Sequence, residues 1–166
     1  MLCAVRGKRE SGKIMTKFFH RATFSLSMMA RTLLSPASFG VIALLEQRGQ
    51  IILIRHSYRA GWHLPGGGAG RGELPEDALL RELREEVGLM RSAAPELYGL
   101  YARQVGLVNN VIGLYRVRDA EFDFKPNLEV REVMLVDPAA PPPGTGAGAR
   151  HRLAELAGQV ARSPRW

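Results

Sequence analysis

The sequence predicts an α/β protein in which helices pack on a mixed β-sheet. Two observations predict this class. Apolar runs of strand length occur on both sides of a helical segment, and a second helical segment follows the last run. The order strands, helix, strands, helix does not alternate regularly enough for a doubly wound parallel sheet. With 166 residues, 46% of them apolar, the chain is long enough to bury a core without disulfide bonds.

The apolar runs predict the individual strands. Residues 39–46 and 51–54 are rich in β-branched and large apolar side chains, and residues 47–50 have the composition of a turn, so together they predict a β-hairpin. Residues 61–68 predict a short strand that enters a glycine-rich loop. Later strands are predicted at residues 96–104, 110–117 and 130–136.

Two helices are predicted. In the first, over residues 75–87, Pro75 suits the first helical position, two acidic residues follow it, and Gly88 is a typical stop. The second helix is predicted over residues 147–162, after a stiff proline-rich linker at 141–144. The apolar residues of the first helix recur every four positions and form one stripe, at Leu79, Leu83 and Val87.

The net charge of +7 is unevenly distributed along the chain. Residues 1–35 hold seven basic residues and one acid, which gives a charge of +6. The other residues hold 16 basic and 15 acidic residues, which gives a charge of +1. The basicity therefore belongs to an N-terminal leader and not to the predicted domain at residues 36–166. This distribution argues against nucleic-acid binding as the main function.

The leader, residues 1–35, admits several interpretations. Residues 18–34 lack acids and are mildly amphipathic, which is typical of a transit peptide or a surface-binding arm. The alternatives are a disordered or mis-assigned start, with Met15 as initiator, or an extra packed element. No apolar run of about 18 residues predicts a membrane span. The single cysteine, Cys3, indicates a reducing compartment, so we expect a cytoplasmic location, or an organellar one if the leader is a transit peptide.

The first helix carries a cluster of glutamates on one side. Glu82, Glu85 and Glu86 are spaced at i, i+3 and i+4, so their side chains point the same way. Each like-charged pair destabilises the helix by roughly a few tenths of a kcal/mol. Taken alone, such a cluster is usually a solvated acidic face. Three convergent carboxylates are also the oxygen ligands that Mg²⁺ or Mn²⁺ prefers.

The residues around this cluster favour the metal-binding interpretation. Gly67 is followed after five residues by Glu73, and after seven more by residues 81–89, Arg-Glu-Leu-Arg-Glu-Glu-Val-Gly-Leu. This arrangement resembles the Nudix box, G-x5-E-x7-R-E-U-x-E-E-x-G-U, in which U is a bulky aliphatic residue, and it matches every fixed position. A chance match has a probability of roughly 10⁻⁹ per start site. The chain is therefore identified as a member of the Nudix (MutT-like) hydrolase family.

The resemblance implies a fold and a role for each matching residue. The implied fold is an α/β/α sandwich with a mixed central β-sheet. The implied ligands of Mg²⁺ or Mn²⁺ are Glu82, Glu85, Glu86 and the backbone carbonyl of Gly66. The residues implied to support the box structurally are Gly67, Glu73, Arg81 and Gly88, with Arg81 paired to Glu73.

The box does not determine the general base. Glu85 or Glu86 can accept the proton from within the helix, or Glu129 or Glu132 can do so from a later loop. Exposed charge at a strand edge is the alternative interpretation of the two loop glutamates. The sequence therefore names Glu86, Glu85 and Glu129 as the leading catalytic candidates.

Two positions near the box depart from the family pattern. Gly70 occupies the place of a frequent glutamate, so any role of that carboxylate is missing or relocated. Leu74 occupies the place of a frequent serine or threonine helix cap, and this departure is expected to reduce stability without affecting chemistry.

The resemblance implies a metal-dependent pyrophosphohydrolase that cuts a nucleoside diphosphate linked to another group, such as a (d)NTP, by attack of water at phosphorus. Its partner would be a small nucleotide. The alternatives are a non-catalytic Nudix-fold ligand sensor, which would be expected to lose box carboxylates, and an RNA 5′-end pyrophosphohydrolase, which only the basic leader supports. The substrate-binding residues stay open. Trp62, Tyr98, Tyr101 and Tyr115 can stack on a base, but aromatic residues in strands more often lie in the core.

Overall fold

The computed structural model describes residues 37–105 and 108–166. The predicted leader, residues 1–35, lies outside the described residues, and its role stays a prediction. Neither helix in the described part of the chain is long and apolar enough to cross a membrane. The described elements are β1 Ala37–Gln47, β2 Gln50–His56, β3 Gly66–Gly68, α1 Pro75–Val87, β4 Leu89–Arg91, β5 Glu96–Val105, β6 Val108–Val117, β7 Glu121–Phe122, β8 Val130–Val136 and α2 Ala147–Leu156.

The predicted hairpin is confirmed, and it closes through a two-residue turn. Strands β1 and β2 are antiparallel, with Gln47 opposite Gln50. Arg48 (φ 51°) and Gly49 (φ 79°) between them both have positive φ. Positive φ at both central residues matches the twist of the flanking strands and allows the tightest reversal of the chain.

The larger sheet has the strand order β5-β6-β1-β2-β8, and β3 also pairs with β1. The β3 pairing is antiparallel and places Gly66 opposite Ile42 and Gly68 opposite Gly40. Strands β4 and β7 form a separate two-stranded sheet. Because β1 is the middle strand of the larger sheet, its pairing with β3 places the glycine loop near the middle of that sheet.

The two faces of the sheet are covered by different helices. On β2, Ile52 and Ile54 pack into one core with the apolar stripe of α1, while Ile51 and Leu53 pack into a second core with α2. Alternate strand residues point to opposite faces, so the continuous apolar run of β2 serves both cores. This arrangement confirms the predicted α/β/α sandwich.

Helix α1 begins and ends where the sequence predicts. At its start Leu74 is 66% exposed and makes no side-chain capping bond to the described residues. At its end Gly88 adopts a left-handed conformation (φ 69°), and its N–H donates to the carbonyls of Arg84 and Leu83. A Cβ at Gly88 would overlap the carbonyl oxygen of Asp123. Glycine is therefore required at this helix end for both conformation and space.

The second helix is shorter than predicted, which corrects its expected end. Helix α2 ends at Leu156 instead of residue 162, because Gly158 (φ 70°) turns the chain back toward the sheet. The predicted helical position Val160 is 41% exposed. The chain then returns to β5, where the Trp166 N–H donates to the Ala102 carbonyl. The sequence also does not predict β4 and β7, since strands of two or three residues carry no periodic signal.

Candidate metal-binding and active site

The glycine loop and the end of helix α1 meet at Glu86. The Gly66 N–H donates a 2.7 Å hydrogen bond to Glu86 Oε2, and only 3% of the glutamate is exposed. Burial, with smaller effects from the charges of Glu82, Glu129 and Glu85, raises the pKa of Glu86 to about 8. The hydrogen bond from Gly66 opposes this rise. The site therefore holds a carboxyl group whose negative charge has too little compensation.

Glycine is required at residue 66 for this close approach, and the glycine at residue 67 leaves room for the Glu82 side chain. A Cβ on Gly66, whose φ is 134°, would overlap the carbonyl oxygen of Val41 in the neighbouring strand. A Cβ on Gly67 would overlap the carboxylate of Glu82. The loop backbone thus lies directly against the acidic side of α1.

Arg81 joins the glycine loop to the helix. Its Nε and Nη2 donate to the two carboxylate oxygens of Glu73, at 2.9 and 3.1 Å. Nη2 also donates to the Gly68 carbonyl at 3.2 Å, and Glu73 accepts a 2.7 Å bond from the Gly70 N–H. The hydrogen bonds from Arg81, followed by that from Gly70, lower the pKa of Glu73 to about 2. Glu73 is therefore a fully partnered carboxylate.

The same arginine contacts two of the helix glutamates. Arg81 Nη1 donates to Glu82 Oε1 at 2.8 Å and to Glu85 Oε2 at 3.3 Å. The Glu82 side chain is 14% exposed and the Glu85 side chain 57% exposed. The three glutamates of the predicted metal site thus range from largely solvated Glu85 to buried Glu86.

The predicted metal ligands are adjacent but do not form a complete cage. Within residues 37–105 and 108–166, no three His, Cys, Asp or Glu side chains converge closely enough to enclose a metal ion. The arrangement nevertheless fits a hard cation, since Mg²⁺ keeps several waters and binds through one or two carboxylates together with substrate phosphates. A cation beside Glu86 would also offset the burial and the smaller repulsion that raise its pKa.

The loop before β8 brings a fourth glutamate to the site. Asn127 Nδ2 donates to the Glu85 carbonyl at 3.1 Å, near the end of α1. Asn127 Oδ1 accepts bonds from the N–H groups of Glu129 (2.9 Å) and Val130 (2.8 Å). The Glu129 side chain is exposed, and its charge contributes to the raised pKa of Glu86. Asn127 therefore fixes Glu129 relative to the helix.

Glu132, the other loop candidate, is engaged elsewhere. It forms a 3.3 Å ion pair with Arg55 at the β2–β8 pairing. Arg55 also lies over the Trp62 ring, 4.4 Å from its centroid. These contacts favour a structural role for Glu132 and leave Glu129 as the loop glutamate next to the box.

His56, at the end of β2, lies beside the buried glutamate. Its Nδ1 is 3.9 Å from Glu86 Oε1, and both side chains are buried. That nitrogen has no hydrogen-bond partner in the part of the chain that the structure describes. Burial, followed by the charges of His63 and Arg59, lowers the pKa of His56 below its ordinary value. The site thus places a neutral imidazole next to the carboxyl group.

A cavity of about 380 Å³ opens beside these residues. Gly66 and Gly67 line one part of it, and Arg103, Asn110 and Trp166 line another. Its size falls within the range of pockets that bind small ligands. Among the described residues, its titratable lining consists of Arg59, Arg103, His56 and His63, with no acidic side chain. The cavity therefore suits an anionic ligand.

Sequence reasoning located the box but missed several neighbours of the site. Asn127 precedes Glu129 by two residues, and an Asn at that spacing is a signal for a side-chain-capped turn. Trp166 comes close only because the chain turns back after α2, which no local pattern predicts. Three of the four aromatic residues considered for stacking lie instead in the core, at Trp62, Tyr101 and Tyr115, and the fourth, Tyr98, is partly buried against it.

Relatives of this chain are similar to it over a short stretch. An RNA pyrophosphohydrolase from Marinomonas sp. (strain MWYL1) is 48% identical over 48 residues, which are 29% of this chain and 30% of that protein. One from Actinobacillus succinogenes is 39% identical over 57 residues, which are 34% of this chain and 29% of that protein. This chain thus matches about a third of the length of these curated relatives.

Solved structures and a family model cover more of the chain. A MutT NUDIX hydrolase from Burkholderia pseudomallei aligns with a TM-score of 0.62 at 21% identity, covering 72% of this chain and 98% of the other. A MutT protein from Methanosarcina mazei Go1 aligns with a TM-score of 0.58 at 20% identity, covering 77% and 98%. These similarities show a shared fold. The family model described as the NUDIX domain matches residues 34–156, and the chain belongs to that family.

Proposed function

We propose that this protein is a divalent-metal-dependent pyrophosphohydrolase that cuts a nucleoside diphosphate linked to another group. The observation that carries the proposal is the contact of the glycine loop with Glu86, whose buried carboxyl group lies among three further glutamates. Burying a carboxyl group close to other carboxylates destabilises the fold. A bound cation and a diphosphate would compensate for this cost, which explains why the glutamates lie together.

The metal ligands are assigned to the acidic side of α1. Glu86 is the main ligand, with Glu82, Glu85 and the backbone carbonyl of Gly66 next to it. Mg²⁺ or Mn²⁺ bound there supplies neutralisation of the diphosphate charge and acidification of a water molecule. Arg81 and Glu73 hold the loop against the helix, so that these oxygens keep their positions.

The reaction is a substitution at phosphorus by water. The water oxygen forms a new P–O bond, the bridging P–O bond breaks, the leaving phosphate takes the electron pair, and a carboxylate takes the water proton. We assign proton acceptance to Glu129. A carboxylate bound to a cation is a weaker base, and Glu85 is paired with Arg81, whereas Glu129 is exposed and held next to Glu86 by Asn127.

The substrate is assigned to the cavity beside the box. Its arginine and histidine lining suits a phosphorylated small molecule, and its position next to Gly66 and Gly67 brings such a ligand to the carboxylates. A cytoplasmic location stays a prediction from the single cysteine.

The test is phosphate release from a nucleotide panel with coupled phosphatase, in Mg²⁺ and in Mn²⁺, for the wild type and for Glu86→Gln. The panel holds dNTPs, oxidised dNTPs, NTPs, ADP-ribose, nucleotide sugars and dinucleoside polyphosphates. Metal-dependent turnover of any member that is lost in Glu86→Gln supports the proposal. No turnover of any member with either metal contradicts small-nucleotide hydrolysis.

A second candidate function is removal of pyrophosphate from an RNA 5′ end. Its support is the likeness of a stretch of about 50 residues to proteins named RNA pyrophosphohydrolase, together with the basic leader. The test is a competition in one tube between a 5′-triphosphorylated RNA and the matching NTP. A kcat/KM at least about tenfold higher for the RNA would favour this candidate, and equal or lower values would disfavour it.

A further inference from the structure

We propose that Trp166 is a specificity-determining residue, and that it stacks on the nucleobase of the substrate at the far part of the cavity from the carboxylates. The segment that carries it lies outside residues 34–156, the part that matches the family model. The proposal rests on the proposed function only for the class of ligand, a nucleoside phosphate.

The cavity runs across the sheet from the glycine loop toward Trp166. Its floor takes Gly66 from β3, Ile42 from β1, Asn110 from β6 and Arg103 from β5. These strands are neighbours in the order β3, β1, β6, β5, and Arg103 is directly opposite Asn110. Three strand spacings of about 4.8 Å separate the outer two, a span of roughly 14 Å. A nucleotide can therefore place its phosphates at the box and its base near β5.

Trp166 is held in the wall by its backbone and by its ring. Its N–H donates to the Ala102 carbonyl at 3.1 Å, and the Pro164 carbonyl accepts a 2.8 Å bond from the Ala102 N–H. The indole packs edge-on against Tyr101, with ring centroids 5.8 Å apart. It also lies against the first turn of α2, where a Cβ on Gly148 would overlap the indole Nε1. Glycine at this position thus makes room for the indole.

A buried ion pair positions the segment that carries Trp166. Arg152 and Glu155 are 3.0 Å apart, and both side chains are fully buried. Arg152 Nη1 donates to the carbonyls of Ser163 and Arg165, at 3.3 and 3.1 Å. Glu155 Oε1 accepts a 2.8 Å bond from the Ser163 N–H. Removing either partner would leave a buried charge, so the pair fixes the returning segment firmly.

Asn110 supplies an independent observation at the same part of the cavity. Its side chain lines the cavity, and its Oδ1 is buried without a hydrogen-bond partner in residues 37–105 and 108–166. A buried polar atom without a partner is destabilising, and a ligand group can relieve this. A flat ring with polar edges, stacked on Trp166 and bonded to Asn110, satisfies both residues. Nucleobases combine these two properties.

The experiment measures binding in Mg²⁺ by isothermal titration calorimetry, with monophosphates that have no diphosphate bond to cut, so that no turnover occurs. The ligands are AMP, GMP, UMP, CMP and ribose 5-phosphate, which has the phosphate and sugar but no base. Stacking on one aromatic residue predicts that Trp166→Ala weakens binding of the best nucleotide roughly 5- to 100-fold. Ribose 5-phosphate should bind the wild type and the variant equally. An equal loss for both ligands, no loss for nucleotides, or no nucleotide binding to the wild type would overturn the proposal.

A second variant separates stacking from damage to the fold. Gly148→Ala keeps the tryptophan, but its methyl group displaces the indole. It should weaken nucleotide binding severalfold and leave the binding of ribose 5-phosphate unchanged. In the Trp166→Ala background the same change should have no further effect on binding. Unchanged binding in Gly148→Ala, or equal losses in both backgrounds, would contradict the role of Trp166.

Intrinsic fluorescence gives an independent readout, since the chain has two tryptophans. Nucleotide should quench the fluorescence of the wild type and of Trp62→Phe, but not that of Trp166→Phe. Quenching that persists in Trp166→Phe would contradict stacking at this residue. Binding that depends on the base, without hydrolysis, would refute the proposed function and leave the role of Trp166 intact. Hydrolysis with binding that does not depend on the base would refute the role of Trp166 and leave the proposed function intact.

Discussion

Glu73 and Glu86 belong to the same box, yet the protein treats their carboxylates in opposite ways. Glu73 accepts bonds from Arg81 and Gly70, and these lower its pKa to about 2. Glu86 is buried among other carboxylates, and its pKa rises to about 8. Hydrogen bonds and an opposite charge complete the first site, whereas the second lacks a compensating positive charge.

Glu73 has the environment of a structural residue, and Glu86 has that of a residue that binds a ligand. A carboxylate whose partners are all protein groups holds a structure together, as Glu73 does for the glycine loop. A buried carboxylate with little compensation stays only if a ligand stabilises it or a function requires it. We therefore expect that mutations near Glu86 change metal binding and turnover, and that mutations near Glu73 change the position of the glycine loop.

The largest expected effect is that of Glu86→Gln on turnover. Losing a negatively charged metal ligand removes several kcal/mol of stabilisation of the transition state, so kcat/KM should fall about 1000-fold at fixed metal concentration. Steady-state kinetics over a series of Mg²⁺ concentrations checks this. A loss of less than tenfold would mean that Glu86 does not hold the metal.

Glu129→Gln should slow the proton transfer without changing the affinity for the metal. Removing a general base lowers kcat by roughly 100-fold or more, while the Mn²⁺ concentration for half-maximal activity stays near that of the wild type. Glu132→Gln is the matched control, since that side chain pairs with Arg55, and it should retain kcat within about twofold. Similar losses in both variants would refute the assignment of Glu129.

Arg81→Ala tests the structural role of the Arg81–Glu73 pair. Releasing the loop from the helix should lower activity about 10- to 100-fold, the usual effect of losing a partner that orients metal ligands. Glu73→Gln should cause part of the same loss, and the double variant should lose little more than Arg81→Ala alone. Additive losses, measured as ratios of kcat/KM, would show that the two residues act separately.

The smallest expected effect concerns the uncapped start of α1. Leu74→Ser adds a side-chain acceptor for the free N–H groups of the first turn and should raise the free energy of unfolding by about 1 kcal/mol. Urea denaturation measures this change. Activity should not change, because the Leu74 side chain is largely exposed to solvent.

Local patterns predicted most of the fold. The hairpin, the bounds of α1 and the stop at Gly88 follow from periodicity and turn chemistry, which act between neighbours in sequence. The end of α2 was predicted wrongly, because the apolar periodicity continues past Gly158, where the chain turns back. The returning segment is then fixed by Arg152 and Glu155, whose burial no local pattern reveals.

In the candidate site too, local sequence predicted some features and long-range contacts set the others. The box spacing placed Gly67, Glu82 and Glu86 together, since a helix sets which residues share a side. Neither the environment of Glu86 nor the approach of His56 could be predicted, because burial and long-range neighbours create them. The sequence resemblance therefore named the carboxylates and their roles, and the fold supplies the partners and burial that give Glu73 and Glu86 opposite pKa shifts.

The contrast also predicts how stability depends on pH without metal. The pKa of Glu86 is higher in the folded protein than the ordinary 4.5, so its protonated form favours folding. This stabilisation is fully present below about pH 4.5 and is lost as pH rises to about 8. At pH 8.5, Glu86→Gln should therefore be more stable than the wild type, by at most about 5 kcal/mol, and the difference should vanish near pH 4.

The most direct test of the central claim is thermal unfolding at pH 8.5 of the wild type and Glu86→Gln, each in EDTA and in saturating Mn²⁺. We predict that Glu86→Gln melts at the higher temperature in EDTA. Mn²⁺ should then raise the melting temperature of the wild type much more than that of the variant. Equal shifts with Mn²⁺, or a lower melting temperature for Glu86→Gln in EDTA, would contradict the claim that Glu86 is an undercompensated carboxylate kept for a cation.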